Sequence, residues 1–514
     1  MIKCIDSARD IGTYRKKPFT RINFFELERG LTESGGKPPF LTSRLFILDG
    51  SEKTFWLPKL VYAGNHFQSG LALVSDHNGK IDSLAPNDKS EKPVLLKNRA
   101  MLPGLINAHS HAFQRVIRGR TEYRTGNEKD SFWTWREMMY SAATRLTPED
   151  IYDASRMAFL EMALSGITAV GEFHYLHNQP DGTPYDDPNL LAKEVVRAAR
   201  DVGLRIALLR VAYARSGFQS ESNPRQARFI EADADVYLDH VTKLQKDLDE
   251  MAEQAWVGVA PHSVRATPLN YLKQVVSFGN EQRLPIHMHV AEQPAEVTAC
   301  IEEYGRSPVA LLETEGLLSE SFTGVHVIHI TPKAAGMLGQ ARAMVCACPT
   351  TERNLGDGIV PVDTLFRENV CVSLGTDSQI QIDLLEDARE LEYHLRLQKM
   401  ERIVLASGRD SPGQSDLASR LLDCATINGA QSISAPGGEL EPGRPADFFT
   451  VDLNDPSIAG SSPDDLLSGI VFSLSRTAVR DVVVGGKRIV EDGRHAAQDE
   501  IVGKFCALQK KLWS

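Results

Sequence analysis

The chain has 514 residues, with 57 Lys and Arg against 68 Asp and Glu, for a formal net charge of −11. That balance excludes a general nucleic-acid binder, which needs clustered cations to displace phosphate counterions. Apolar residues make up 42%, and no apolar run approaches the roughly 18 residues of a membrane span, which describes a globular protein with a large core.

At roughly 150 residues per domain, the length allows about three domains, or one large barrel with an accessory domain. Residues 1–53 are mixed, with the basic run Tyr14-Arg-Lys-Lys17, Gly35-Gly36 and Pro38-Pro39, and read as an extension of unassigned role. Charges stand where a secretory leader would need an apolar stretch, and seven scattered cysteines show no disulfide-framework spacing, so a reducing cytoplasm is the expected location. From 54 to 102, short apolar runs broken by Gly64, Gly70, Gly79 and Pro86 predict several strands.

The middle, 103–435, alternates strand-like with helix-like segments. Eight strands are predicted: Leu102–His109, Ile167–His174, Arg205–Tyr213, Trp256–Pro261, Leu284–Val290, Thr323–Ile330, Met344–Cys348 and Val370–Gly375. Between the first two lies a helix with Thr147 as N-cap and Pro148 at its first position, its apolar face running through Ile151, Ala154, Ala158 and Met162. Eight such β-then-α units predict a (β/α)₈ barrel, whose chemistry sits at the C-terminal ends of the strands. The last part, 436–514, returns to β texture. Asp481–Val490 places two β-rich runs around Gly485-Gly486, a hairpin signal, and the 54–102 and 436–514 segments are expected to pair into one small β-sandwich domain.

Of 14 histidines, ten lie between 109 and 329, and nine of these fall in or just after a predicted strand: His109, His111, His174, His177, His262, His287, His289, His326 and His329. At strand ends of one barrel they are expected to converge on a single mouth. His240 is the exception, in a helical stretch. His109 and His111 share a strand face, as do His287 and His289, so each pair can reach one ion. Asp377 ends an apolar strand in Leu374-Gly-Thr-Asp-Ser378. Nitrogen and oxygen donors suit Zn²⁺, with Fe²⁺ second, and three histidines with one carboxylate would make a hydrolytic centre. Cys346 and Cys348 read as core of the seventh strand.

Pro103-Gly-Leu-Ile-Asn-Ala-His-Ser-His111, His289-x-x-Glu292, His326 and Asp377 together resemble the amidohydrolase superfamily, in its one-metal deaminase branch. The bridging lysine of two-metal members has no counterpart in Val259-Ala-Pro-His-Ser-Val-Arg265, so one metal is expected. Gly437-Gly438-x-Leu440-x-Pro442-Gly443-x-x-Ala446-Asp447 is similar to the segment by which such chains return to the small β domain.

Six motifs in order carry a closer resemblance, to the formimidoylglutamate deiminases: His109-Ser-His-Ala-Phe-Gln-Arg115, Ser131-Phe-Trp-Thr-Trp-Arg-Glu137, Glu172-Phe-His-Tyr175, Pro261-His-Ser-Val-Arg-Ala266, His289-Val-Ala-Glu-Gln293 and Thr351-Glu-Arg-Asn-Leu-Gly-Asp-Gly358. It implies His109, His111, His289 and Asp377 as metal ligands, and Glu292, His326 and Asp377 as catalytic residues. Glu292 would move the proton and His326 would polarise the substrate. It implies Gln114, Arg136, Tyr175, His262 and Arg265 around a dianionic small-molecule substrate, with His287 and His329 structural. The resemblance also implies a homodimer; that no nucleic acid or membrane is a partner is expected from the acidic balance and the lack of a long apolar run. Two alternatives stand beside it: a guanine or related purine deaminase, which would favour aromatic stacking over two arginines, and a non-catalytic assembly protein, which a metal assay would separate.

Overall fold

The computed structural model describes residues 53–86, 92–124, 130–219, 223–251, 254–408 and 416–514. The extension read over 1–53 therefore lies almost wholly outside the described residues. Eight parallel strands, Leu105–Ser110, Ile167–His174, Arg205–Ala212, Ala255–Pro261, Ile286–Val290, Phe322–His326, Met344–Ala347 and Val372–Leu374, pair with their neighbours in chain order. The first and eighth meet at a backbone seam: Asp377 N donates to His109 O and His111 N to Asp377 O, both at 3.0 Å. The result is the expected (β/α)₈ barrel. Its strands are continuous apolar runs because helices cover their outer faces and side chains fill the interior.

Local chemistry sets the helices. Thr147 caps Pro148–Leu164 in a capping box with Asp150, and Ile151, Ala154, Ala158 and Met162 are all buried, as their spacing predicts. The short helix Ile427–Ile433 reaches the N-terminal ends of the strands, where Trp256 and His287 bond the carbonyls of Ile433 and Ser432. The opposite, C-terminal end is left to the loops.

A second, nine-stranded sheet joins segments from both ends of the described chain, with Val94–Pro103 lying antiparallel to Phe448–Asp452. It has its own core around Trp56, Val61, Leu73, Met101 and Phe448. The predicted hairpin forms between Val479–Val484 and Lys487–Glu491, with Gly485 and Gly486 both at positive φ as a tight primed turn requires. A buried pair, Arg205 Nε to Asp447 Oδ2 at 2.7 Å, ties the third barrel strand to the return segment.

Two features differ from the sequence reading. Leu102 and Pro103 belong to the nine-stranded sheet, and the barrel begins only at Leu105: one apolar run serves two sheets, with Gly104 as the crossing. The sixth strand stops at His326 rather than Ile330, because His326 and Val327 take left-handed backbone (φ 69° and 54°) that ends the pairing.

Candidate active site

The seam between the first and last strands brings His109 and Asp377 together. It is tight because Gly375 passes directly behind His109: a Cβ there would lie 2.7 Å from the His109 Cβ. Across the seam Asn107 clamps Thr376, with Nδ2 donating to the threonine hydroxyl at 2.7 Å and Oδ1 accepting its amide at 3.1 Å. Glu172 fixes the turn after the first strand, accepting from Ser110 Oγ at 2.6 Å and Ala112 N at 2.7 Å.

At the mouth, His109 Nε2 lies 3.2 Å from both His111 Nε2 and His289 Nε2, and Asp377 Oδ1 lies 3.1 Å from His111 Nε2. The Nδ1 atoms of His111 and His289 are tied to backbone carbonyls, Phe173 O at 2.9 Å and His262 O at 3.1 Å. A proton placed on each Nδ1 leaves each Nε2 lone pair aimed at the common centre, which is how proteins orient metal-ligating imidazoles. Burial pushes His109 down to about 3, and burial with neighbouring imidazoles holds His289 well below its usual range. Burial works against the Asp377 charge, but hydrogen bonds from His109 and His111 overcome it and keep the carboxyl well below its usual range. Three imidazole nitrogens and one carboxylate oxygen, all buried and mutually within 4.8 Å, form a donor set suited to a divalent metal ion.

Beside this cluster His326 stacks on His289, with ring centroids 5.5 Å apart. Its Nδ1 faces Glu352 Oε1 at 3.2 Å and its Nε2 faces Glu292 Oε1 at 3.7 Å. Burial opposes its charge, yet the carboxylates of Glu292, Glu352 and Asp377 prevail and raise its pKa well above the ordinary value. Glu292 is itself raised by burial, which the nearby cations only partly offset.

A cleft with about 450 Å³ of space opens over the cluster. Gln114, Arg136, Tyr175, His262, Arg265 and Glu292 all line it, as the resemblance implies, joined by Phe132, Trp135, Met139 and Leu355. Arg136 rides on the helix Phe132–Ala143, flanked by the rings of Trp133 and Tyr140 at 5.4 and 5.1 Å. Arg265 follows the fourth strand, and its Nη1 is buried with no partner, as is Gln114 Oε1. Among the described residues neither arginine has an ion-pair partner, although each lies deep enough in the cleft to need one.

The convergence of nine histidines does not hold. His174 and His177 turn outward toward Arg210 and the Val211 carbonyl, because Phe173 takes the inward position on their strand and packs on His109 and His289. His287 points to the far end of the barrel, and His329 bonds the Asp357 carbonyl at 2.9 Å. Cys346 is core, but Cys348 is not merely core: its thiol lies with His326 and Asp377 within 4.8 Å. Sequence reasoning assigned no role to Glu352, which stands in one of the quoted motifs but has no spacing rule linking it to His326.

Residues 100–489 match the amidohydrolase family, and the chain belongs to that family: a (β/α)₈ hydrolase acting on carbon–nitrogen bonds. Within it, the chain is 37% identical over 414 residues to the formimidoylglutamate deiminase of Pseudomonas aeruginosa, covering 80% of this chain and 89% of that one. A 5-methylthioadenosine/S-adenosylhomocysteine deaminase of Syntrophomonas wolfei is 28% identical, covering 83% and 90%. A crystal structure of an amidohydrolase from Brucella melitensis superposes with a TM-score of 0.82 at 32% identity, covering 90% of this chain and all of that one.

Proposed function

We propose that the chain hydrolyses N-formimino-L-glutamate to N-formyl-L-glutamate and ammonia, using one Zn²⁺ ion. The observation that carries this reading is the pair of unpaired guanidinium groups, Arg136 and Arg265, at the cleft of a chain with net charge −11. A dicarboxylate supplies both missing counter-anions; a purine ring would leave them unmatched. The 37% identity to a formimidoylglutamate deiminase supports the same substrate.

His109, His111, His289 and Asp377 would hold the ion, which when bound would ease the loss of a proton from water. The Glu292 carboxylate takes that proton as the water oxygen adds to the formimino carbon, and delivers it to the terminal nitrogen. Protonated His326 donates from Nε2 and steadies the charge that develops on the tetrahedral carbon's substituents. As the bond to the terminal nitrogen breaks, the remaining hydroxyl proton passes through Glu292 to that nitrogen, so ammonia leaves and the formyl C=O remains on the glutamate nitrogen. Gln114, Tyr175 and His262 shape the pocket around the formimino end. A homodimer in the cytoplasm is part of the same proposal, and sedimentation of the purified protein tests the assembly.

The substrate is tested by ammonia release from N-formimino-L-glutamate, formimino-glycine, guanine and 5′-methylthioadenosine, on wild type and Arg265→Met. The glutamate compound is expected to dominate, and Arg265→Met to weaken kcat/KM for it by about 2–5 kcal/mol, the effect of leaving a charge unpaired in a desolvated site. Equal turnover of formimino-glycine, or preference for a purine, overturns the assignment.

A further inference from the structure

Tyr213 follows directly on the third barrel strand and is buried behind the two arginines. Its ring packs edge-on against His262, with centroids 4.6 Å apart, and against Phe229. Its hydroxyl accepts from the side-chain amide of buried Gln226 and, at 3.5 Å, from Arg136 Nη2. Arg265 acts on the same oxygen from another side: burial would raise the hydroxyl's pKa, but the charges of Arg265 and Arg136 together bring it below its ordinary value. Tyr213 is buried and lies outside the residues that line the cleft.

Two like charges gathered at one cleft repel each other, and the Glu292 carboxylate, whose charge is favoured by both, only partly offsets this. Both act on the Tyr213 phenolic oxygen, itself fixed by Gln226 at a strand end, and both also lie near the Tyr140 hydroxyl. We infer that Tyr213 is a positioning residue for substrate selection: its hydroxyl sets the spacing and aim of Arg136 and Arg265, and thereby the length of dicarboxylate the cleft accepts. This rests on the reading of the two arginines as the carboxylate-binding pair.

The test compares wild type, Tyr213→Phe, Gln226→Leu and Arg265→Met, metal-loaded, in steady-state kinetics and in competitive inhibition by succinate, glutarate and adipate. In Tyr213→Phe, KM for N-formimino-L-glutamate and Ki for glutarate are expected to rise together by at least fivefold, with kcat within threefold of wild type. The preference for glutarate over succinate and adipate should shrink by threefold or more. A merely structural role would lower the melting temperature and kcat without moving the chain-length preference. Unchanged KM and Ki in Tyr213→Phe, or a fall in kcat alone, overturn the inference. Should that variant not fold, Gln226→Leu decides by the same criteria, because it frees the hydroxyl without touching the ring. If Arg265→Met leaves glutarate inhibition intact, the underlying arginine reading fails; if it abolishes inhibition while both other variants behave as wild type, only the Tyr213 role fails.

Discussion

Glu352 offers the sharpest check on the electrostatics of the site, because it touches neither the proposed ligand cluster nor the cleft. Its Oε1 accepts the Cys348 backbone N–H at 2.8 Å and faces His326 Nδ1 at 3.2 Å, with both side chains almost fully buried. Glu352→Gln keeps the shape and the acceptor oxygen but removes the charge that helps keep His326 protonated. A hydrogen bond to a charged partner contributes about 1.5–3 kcal/mol. If His326 must be cationic when the tetrahedral carbon forms, kcat/KM for N-formimino-L-glutamate should therefore fall roughly 10- to 150-fold. The assay is initial-rate ammonia release across pH, with metal content measured on the same preparations. The alkaline limb of the profile should move to lower pH, since losing a carboxylate neighbour lowers the pH at which His326 gives up its proton. Unchanged kinetics, or a loss explained by lost metal, would refute the role given to the Glu352–His326 pair.

Glu292→Gln should retain the metal and lose turnover by roughly 10²–10⁴-fold, because the amide cannot accept a proton. In the wild type the acid limb of kcat/KM should lie above the ordinary glutamate value, because Glu292 must be ionised and burial raises it; a limb at or below pH 4.5 contradicts this. Chelation should lower the melting temperature and abolish activity, and one equivalent of Zn²⁺ per chain should restore both; a requirement for two equivalents would contradict a single centre. Asp447→Ala should destabilise the protein by about 1–3 kcal/mol in denaturant titration, since it removes a buried carboxylate that accepts from both Arg205 and the Gly485 N–H; a loss below about 0.5 kcal/mol would show that the pair is dispensable.

The barrel was legible because each of its strands is an apolar run bounded by punctuation, and eight such runs alternate with helical periods. The edges were not, since hydrophobicity does not mark where a strand leaves one sheet for another: Leu102 and Leu105 look alike in sequence, yet Gly104 separates two sheets. The ligand candidates could be read from His-x-His spacing, because strand alternation is local. The outward turn of His174 depends on which strand residue packs inward, and that is decided by Phe173 meeting His109 and His289 from other strands. Glu352 and Tyr213 stayed hidden for the same reason: each lies beside a residue brought to it only by the pairing of neighbouring strands.

That closure has a consequence for biosynthesis. The donor set draws on the first, fifth and eighth strands, and the bonds joining His109 and His111 to Asp377 are also the ones that shut the cylinder. A nascent chain that has delivered seven strands holds His109 and His111 at an open edge and His289 inside the sheet, with the partner of that edge still to come. Val94–Pro103 likewise waits for Phe448–Asp452, which follows later still. Pairings so far apart in sequence form late. A complete donor set therefore has to wait for the eighth strand, whatever the order in which the first seven form.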